Sequence, residues 1–202
     1  MKKLFAAIIA LCSLATTSIA QNEGYKTGSE VQDFQLKNVD GKIMSLSSIK
    51  DAKGYIVVFT CNHCPYAKAY EERIIALHKK FAPQGYPVVA INPNDPKVSP
   101  EDSYAKMKER AKEKQFPFVY LYDANQDVAK RFGAVRTPHV YLVQNAGGKK
   151  TVQYIGAIDN NWEDPKAADQ EYVAQAIDNL NAGMAVAVPE TKAIGCTIKW
   201  KK

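Results

Sequence analysis

A buried β-strand that leads directly into two closely spaced cysteines and an amphipathic helix is the feature that most constrains the fold of this chain. Residues 55–59 are a continuous run of β-branched and aromatic side chains, which is typical of a central strand buried on both faces. Cys61 and Cys64 follow, with two residues between them. From Pro65 the apolar side chains recur every three or four residues as far as residue 81, which predicts a helix. The two cysteines therefore lie at a strand–helix junction.

Strands and helices alternate through the middle of the sequence, and the alternation ends in a hairpin and a last helix. The elements predicted after the first helix are a strand at 87–91, a helix opening at 99–102, a strand at 118–122, a helix at 123–132, a hairpin with strands at 139–143 and 151–155, and a helix at 172–180. Another hairpin, around Asp40-Gly41, precedes the cysteines. Parallel βαβ units followed by an antiparallel hairpin predict an α/β fold with a mixed central sheet flanked by helices.

The first 20 residues have the features of an export signal. Two lysines precede a short apolar stretch, and Ser18 and Ala20 place small side chains where signal peptidase requires them. Leu11 disfavours a lipid-modified Cys12, because such sites need a small residue there. The stretch is too short to span a bilayer, and no later apolar run reaches about 18 residues. We therefore predict cleavage after Ala20, and no stable membrane insertion of the mature chain.

Four segments follow from this pattern. They are a cleaved signal peptide at 1–20, a flexible leader at 21–30, one folded domain at 31–183, and a tail at 184–202 that packs on the domain through apolar side chains near its end. An exported chain of this kind is expected in the periplasm, with the extracellular space as the alternative.

The charge distribution argues against a nucleic-acid-binding protein, and the cysteine content argues against a protein held together only by structural disulfides. The formal net charge is +6, but the lysine pairs are scattered among acidic residues, without the motif context of a nucleic-acid-binding protein. After the signal, the cysteines are Cys61, Cys64 and Cys196. An odd number in an exported protein does not indicate a purely structural disulfide framework.

The start of a helix favours a reactive thiol. Cys61 is expected to face unpaired backbone N–H groups and the positive end of the helix dipole, which would lower its pKa. Cys64 lies one turn further on and is the natural resolving thiol. The two residues between the cysteines allow a local disulfide.

The strand, the Cys-x-x-Cys motif, the helix and a downstream Thr137-Pro138 together resemble the thioredoxin superfamily. The match covers most of residues 31–182. The added hairpin at 33–46 and an inserted βα unit resemble the extracytoplasmic TlpA/ResA-type and peroxiredoxin-like (AhpC/TSA) branches. The resemblance implies a thioredoxin-like fold, with Cys61 as the nucleophile and Cys64 as its partner in a redox-active disulfide. It also implies that Pro138 is a cis-proline beside that disulfide, and that Thr137 offers backbone hydrogen bonds to a substrate chain.

The residues around the motif refine this picture. His63 resembles the Cys-x-His-Cys arrangement of oxidising and isomerising family members, where a cationic imidazole would stabilise a neighbouring thiolate. The alternative is a solvated loop histidine. Thr60 replaces the usual tryptophan, and Tyr55 stands where thioredoxin carries a buried acid. The proline and hydroxyl residues that precede a peroxiredoxin cysteine are missing, which disfavours a thiol peroxidase.

The function that the sequence predicts is that of an exported thiol:disulfide oxidoreductase, which uses no cofactor and no metal. Its partners would be protein thiols and disulfides, together with a separate redox protein that resets the site. The first alternative is a Sco-like copper-binding module, in which the two cysteines and either His63 or His139 bind Cu(I). Sco-like proteins have three residues between their cysteines, which disfavours this reading. A second alternative is a redox-inactive binding domain on the same scaffold.

Three roles remain open for Cys196. A buried structural thiol is favoured, because Ile194, Ile198 and Trp200 could dock the tail on the domain. A partner for another chain and a third member of a redox relay are the alternatives, and nothing in the spacing decides between them.

Overall fold

Residues 24–202 are described by the structure, which is a computed structural model. The export signal predicted for 1–20 lies outside the described residues. Within the described range, no helix is both long enough and apolar enough to cross a membrane.

In the described part of the chain, seven strands form a central mixed sheet in the order β2-β1-β5-β4-β3-β7-β8, and two short strands, β6 and β9, form a separate ladder. The strands are β1 (Leu36–Asn38), β2 (Ile43–Met44), β3 (Gly54–Phe59), β4 (Val88–Asn92), β5 (Val119–Tyr122), β6 (Arg136–Thr137), β7 (His139–Ala146), β8 (Lys149–Gly156) and β9 (Cys196–Thr197). β3, β4 and β5 are parallel, whereas β7 runs antiparallel to β3. The predicted α/β fold with a mixed sheet is confirmed.

Within residues 24–202, four α-helices pack on the two faces of the sheet: α1 (Pro65–Phe81), α2 (Tyr104–Glu113), α3 (Asp127–Phe132) and α4 (Tyr172–Asn181). Pro65 occupies the first turn of α1, where its missing N–H leaves no hydrogen bond unmade. The helix predicted to open at 99–102 is interrupted. Residues Pro100–Asp102 form a 3₁₀ turn, and Ser103 then adopts extended backbone (φ −62°, ψ 153°) before α2 begins.

Strand β3 anchors the loop that carries the two cysteines. All six of its residues are buried. Ile56 and Val58 belong to the core beneath α1 and α4, while Val57 and Phe59 belong to the core on the opposite face. Successive side chains of a strand point to opposite faces, so β3 contributes to both cores. The loop that follows it is anchored at this central position.

The segment before the domain is more ordered than a flexible leader would be. The backbone N–H of Tyr25 donates to the Phe132 carbonyl (3.1 Å), and the two rings meet edge to face. The N–H of Gly28 donates to the Val152 carbonyl (2.8 Å). Residues 24–30 therefore lie on the domain, in contrast to the sequence prediction.

The tail also lies on the domain. Strand β9 pairs antiparallel with β6, and Ile198 is buried. The N–H of Lys199 donates to Asn94 Oδ1 (2.9 Å), and the carbonyl of Lys199 accepts from Gln126 Nε2 (2.8 Å). These contacts place Cys196 beside the strand that leads into Pro138.

Candidate redox site

The cysteine motif occupies the loop between β3 and α1. Thr60 donates its backbone N–H to the Ile91 carbonyl (2.8 Å), and Cys64 is the N-cap of α1. Cys61 is 2% exposed and Cys64 is completely buried. The sulfur of Cys61 accepts hydrogen bonds from the backbone N–H groups of His63 and Cys64. The donors expected at the helix start therefore do face this sulfur.

The disulfide in the structure differs from the one that the resemblance implies. Cys64 is bonded to Cys196, and Cys61 is a free thiol. The register of β6 and β9 pairs Thr137 with Cys196, which brings the Cα atoms of Cys196 and Cys64 within 6.2 Å, a separation at which disulfides form. The expected Cys61–Cys64 bond is therefore not the one formed here.

Thr137 and Pro138 lie against the sulfurs. Their peptide bond is cis, as the resemblance implies. The Oγ1 atom of Thr137 is 3.2 Å from Cys61 Sγ, and the carbonyl oxygen of Thr137 is 3.4 Å from Cys64 Sγ. The backbone edge of Thr137 is not open, because β9 pairs with it at Cys196.

The expected acidic thiol is absent from this state. Burial, followed by the negative charge of Asp102, raises the pKa of Cys61 to about 11. The hydrogen bonds from Thr137 and from the backbone N–H groups act in the opposite direction but are outweighed. The sequence prediction of a low Cys61 pKa is thus wrong here, because it counted the local donors and not the burial.

Asp102, which lies where the sequence predicts only the opening of a helix at 99–102, is a site residue. Its side chain is fully buried, and Oδ2 lies 2.6 Å from His63 Nδ1. Ser99 Oγ and Asn94 Nδ2 donate to the same oxygen, while the backbone N–H of Asn62 donates to Oδ1 (2.7 Å). Ligand-binding groups gather at the carboxyl ends of parallel strands. The segment after β4 could therefore have been placed beside the cysteines from its position in the chain.

Asn62 connects the motif to the sheet. Its Oδ1 accepts from the buried hydroxyl of Tyr120 (2.8 Å), and its Nδ2 donates to the carbonyl of Glu101 (2.8 Å). With the Asp102 contact to its backbone, Asn62 is held at three points. The loop that carries the sulfurs is therefore fixed by side chains from two neighbouring chain segments.

The two histidines near the motif have different environments. The His63 ring is 34% exposed and contacts Asp102. His139 is buried, which lowers its pKa to about 4, and the nearby charge of Arg136 acts in the same direction. Among the described residues, Cys61, His63 and Asp102 offer ligand atoms within 4.8 Å of one another, and His139 is not part of this group.

A buried cysteine pair at a helix start, after a central strand and beside a cis-proline, defines a protein of the thioredoxin superfamily and of the thiol-disulfide oxidoreductase type. The AhpC/TSA family model matches residues 27–155. The chain belongs to this family.

One similar protein is a named thiol-disulfide oxidoreductase, and two similar solved structures are of proteins without a stated activity. The thiol-disulfide oxidoreductase ResA of Bacillus subtilis (strain 168) is 25% identical over 147 residues, which are 69% of this chain and 76% of ResA. An uncharacterised conserved protein from Geobacillus kaustophilus is 35% identical, with a TM-score of 0.80 over 87% of this chain and 93% of its own. A hypothetical protein from Sinorhizobium meliloti 1021 is 31% identical, with a TM-score of 0.80 over 88% of this chain and 96% of its own.

Proposed function

We propose that this protein is an exported thiol:disulfide oxidoreductase that exchanges disulfides with protein substrates through Cys61 and Cys64. The observation that carries the proposal is the position of both sulfurs against Thr137 at the start of α1. This arrangement joins a nucleophile, a second thiol and a backbone edge at which a substrate chain could pair once β9 has left it. The similarity to ResA, a thiol-disulfide oxidoreductase, supports it.

The reaction begins once Cys64 has been released from Cys196 by reduction. The Cys61 thiolate attacks one sulfur of a substrate disulfide, so that a mixed disulfide forms and the other substrate sulfur leaves as a thiolate. The Cys64 thiolate then attacks Cys61 Sγ. The Cys61–Cys64 bond forms, the mixed disulfide breaks, and the substrate has gained two electrons. A separate redox protein must reduce the new bond to restart the cycle.

The residues around Cys61 control how easily it ionises. The backbone N–H groups of His63 and Cys64 and the hydroxyl of Thr137 favour the thiolate, whereas burial and Asp102 oppose it. A protonated His63 would offset the charge of Asp102, since the two side chains are in contact. We therefore assign His63 a tuning role and Asp102 a positioning role.

Export is supported by the signal features of residues 1–20, and we place the protein in the periplasm. Expression of the full chain with a C-terminal tag, followed by cell fractionation and N-terminal sequencing, tests this assignment. A mature protein that begins at Gln21 in the periplasmic fraction is expected. An uncleaved cytoplasmic protein would overturn the assignment.

Variants with one thiol test the catalytic roles. In Cys64→Ser/Cys196→Ser the single remaining thiol of residues 24–202 is Cys61, and the variant should accumulate a mixed disulfide with insulin, which serves as a model protein disulfide. The matched variant Cys61→Ser/Cys196→Ser retains Cys64 and should accumulate far less. A reversed result would exchange the two roles. If neither variant is trapped, and the wild type does not accelerate insulin reduction by dithiothreitol, the proposed function is wrong.

A copper-binding function is the second candidate. The observation that favours it is the proximity of Cys61, His63 and Asp102, to which a reduced Cys64 could add another soft sulfur ligand. Titration of the fully reduced protein with Cu(I) tests it. Stoichiometric binding that is lost in both His63→Ala and Cys61→Ser would support a copper site, and binding that is unchanged in His63→Ala would exclude the site as described.

A further inference from the structure

After its initial release from Cys64, Cys196 has no role in the cycle proposed above, although the structure bonds the two residues. We propose that Cys196 is the third thiol of the redox site, and that the disulfide moves between Cys64–Cys196 and Cys61–Cys64. In this scheme the C-terminal strand acts as an internal substrate that covers the client-binding edge until the bond moves. The inference rests on the proposed function, because it uses the same two catalytic thiols.

The first support is the way in which the tail is held. Strand β9 pairs Cys196 with Thr137, and Arg136 Nη1 donates to the carbonyl of Gly195 (2.9 Å). A Cβ atom on Gly195 would overlap the Thr137 carbonyl. The approach of the tail to this edge is therefore as close as a backbone without a side chain permits.

The second support is that the three cysteines of residues 24–202 share one environment. Cys61 and Cys64 form one small buried cluster, and Cys196 packs against it. Thr137 contacts the sulfurs of both Cys61 and Cys64. A free thiol thus lies in the same cluster as a closed disulfide, which is the arrangement that intramolecular exchange requires.

The exchange is balanced without an external reagent. Cys61 loses its proton to solvent, and its thiolate attacks Cys64 Sγ. The Cys61–Cys64 bond forms as the Cys64–Cys196 bond breaks, and Cys196 leaves as a thiolate that takes up a proton. No electrons are gained or lost overall. Cys196 is less buried than Cys61, so its thiolate is the better solvated of the two, which favours its departure.

The exchange changes what the site presents to a client. While Cys64 and Cys196 are bonded, β9 occupies the backbone edge of Thr137, and Cys61 is buried. Moving the bond to Cys61–Cys64 removes the covalent link to the tail. Residues 195–197 can then leave, and a strand of the redox protein whose thiols reduce the Cys61–Cys64 bond can take their place beside Thr137. After that reduction, Cys61 is a free thiol at an open edge and can attack a client disulfide.

Pulsed alkylation of the oxidised wild-type protein tests the exchange. Acid quenching at time zero, followed by peptide mapping under non-reducing conditions, should show the Cys64–Cys196 bond. On incubation with iodoacetamide, the label should accumulate at least twofold more on Cys196 than on Cys61, and faster at higher pH. Oxidised Cys61→Ser should show no label on Cys196. Thr197→Ser, an exposed change in the same strand, should behave as wild type.

Three outcomes would overturn the exchange. They are a time-zero map with Cys196 unpaired, a label confined to Cys61 in the wild type, and label on Cys196 in oxidised Cys61→Ser.

Insulin reduction by Cys196→Ser separates failure of the exchange from failure of the proposed function. If that variant is active while Cys196 is never released in the wild type, the exchange is wrong and the oxidoreductase assignment stands. If both proteins are inactive, the proposed function itself is wrong.

Hydrogen exchange tests the uncovering of the Thr137 edge. In the oxidised wild type, the amide of Ile198 donates to the carbonyl of Val135 (3.2 Å), so the peptide that contains residues 195–198 should be protected. In Cys196→Ser, oxidised as Cys61–Cys64, the same peptide should exchange several-fold faster, whereas Thr197→Ser should keep wild-type protection. Equal protection in all three proteins would show that the tail does not leave.

Discussion

His63 Nδ1 lies 2.6 Å from a carboxylate oxygen of Asp102, and the Asp102 side chain has no solvent exposure. The same carboxylate raises the pKa of the nearby Cys61 thiol. The imidazole is therefore positioned between solvent and a buried negative charge that opposes formation of the thiolate. A positive charge on the His63 ring would offset the Asp102 charge that Cys61 experiences.

Asp102→Asn should lower the Cys61 pKa from its value of about 11, because the substitution removes a negative charge that opposes the thiolate. An effect of about one unit, or roughly a tenfold faster alkylation at fixed pH, is the scale expected for a nearby charge. The rate of iodoacetamide labelling of Cys61 across pH measures it. Glu101→Gln, an exposed change in the same 3₁₀ turn, is the control. An unchanged or raised Cys61 pKa in Asp102→Asn would contradict the assignment.

His63→Ala should lower the reduction potential of the Cys61–Cys64 couple, because a protonated His63 stabilises the reduced thiolate form relative to the disulfide. Tens of millivolts are expected, where about 30 mV corresponds to roughly 1.4 kcal/mol. Equilibration with glutathione buffers, in a Cys196→Ser background that isolates the couple, gives the potential. His63→Gln keeps a hydrogen-bond donor without the charge and should show the same shift. If both variants kept the reduction potential of the Cys196→Ser protein, His63 would have no tuning role.

The main fold and the position of the motif could be predicted because they depend on local patterns. The buried run of β3 and the helical period after Pro65 are properties of neighbouring residues, and they place Cys61 and Cys64 correctly at the junction. The resemblance then supplied the position of Pro138. These features are present in the folded protein because the local conformational preferences of the residues agree with their tertiary packing.

The parts that sequence reasoning missed depend on tertiary placement. The pairing of Cys64 with Cys196 spans 132 residues and requires the register of β9 on β6. The raised pKa of Cys61 requires burial in the folded domain and proximity to Asp102, which comes from the segment after β4. Neither relationship leaves a periodic signal in the sequence. The ordered segment at 24–30 has the same cause, since a polar segment can be held by hydrogen bonds to distant backbone groups.

His139 should make the protein less stable as the pH falls. Its folded pKa of about 4 is below the ordinary value of 6.5, so the unfolded chain binds a proton that the folded protein excludes. Its contribution is fully present above about pH 6.5 and is lost as the pH falls toward 4, by up to about 3 kcal/mol. Urea unfolding at pH 7 and pH 4.5 measures the difference. His139→Gln should reduce the loss between the two pH values, and an identical loss in that variant would refute the assignment.

Ile198→Ala should destabilise the domain, because Ile198 is only 3% exposed and belongs to the core that contains Val57 and Phe59. Truncating a buried isoleucine to alanine removes apolar contacts and leaves a cavity, at a cost of about 2–4 kcal/mol in the free energy of unfolding. Ile194→Ala is a matched control, since Ile194 is 40% exposed in the same tail and should change stability by less than about 0.5 kcal/mol. Urea unfolding of the oxidised proteins at neutral pH gives both values. Equal effects of the two substitutions would mean that Ile198 is not the side chain that anchors the tail, and that the disulfide and backbone pairing hold β9 in place without it.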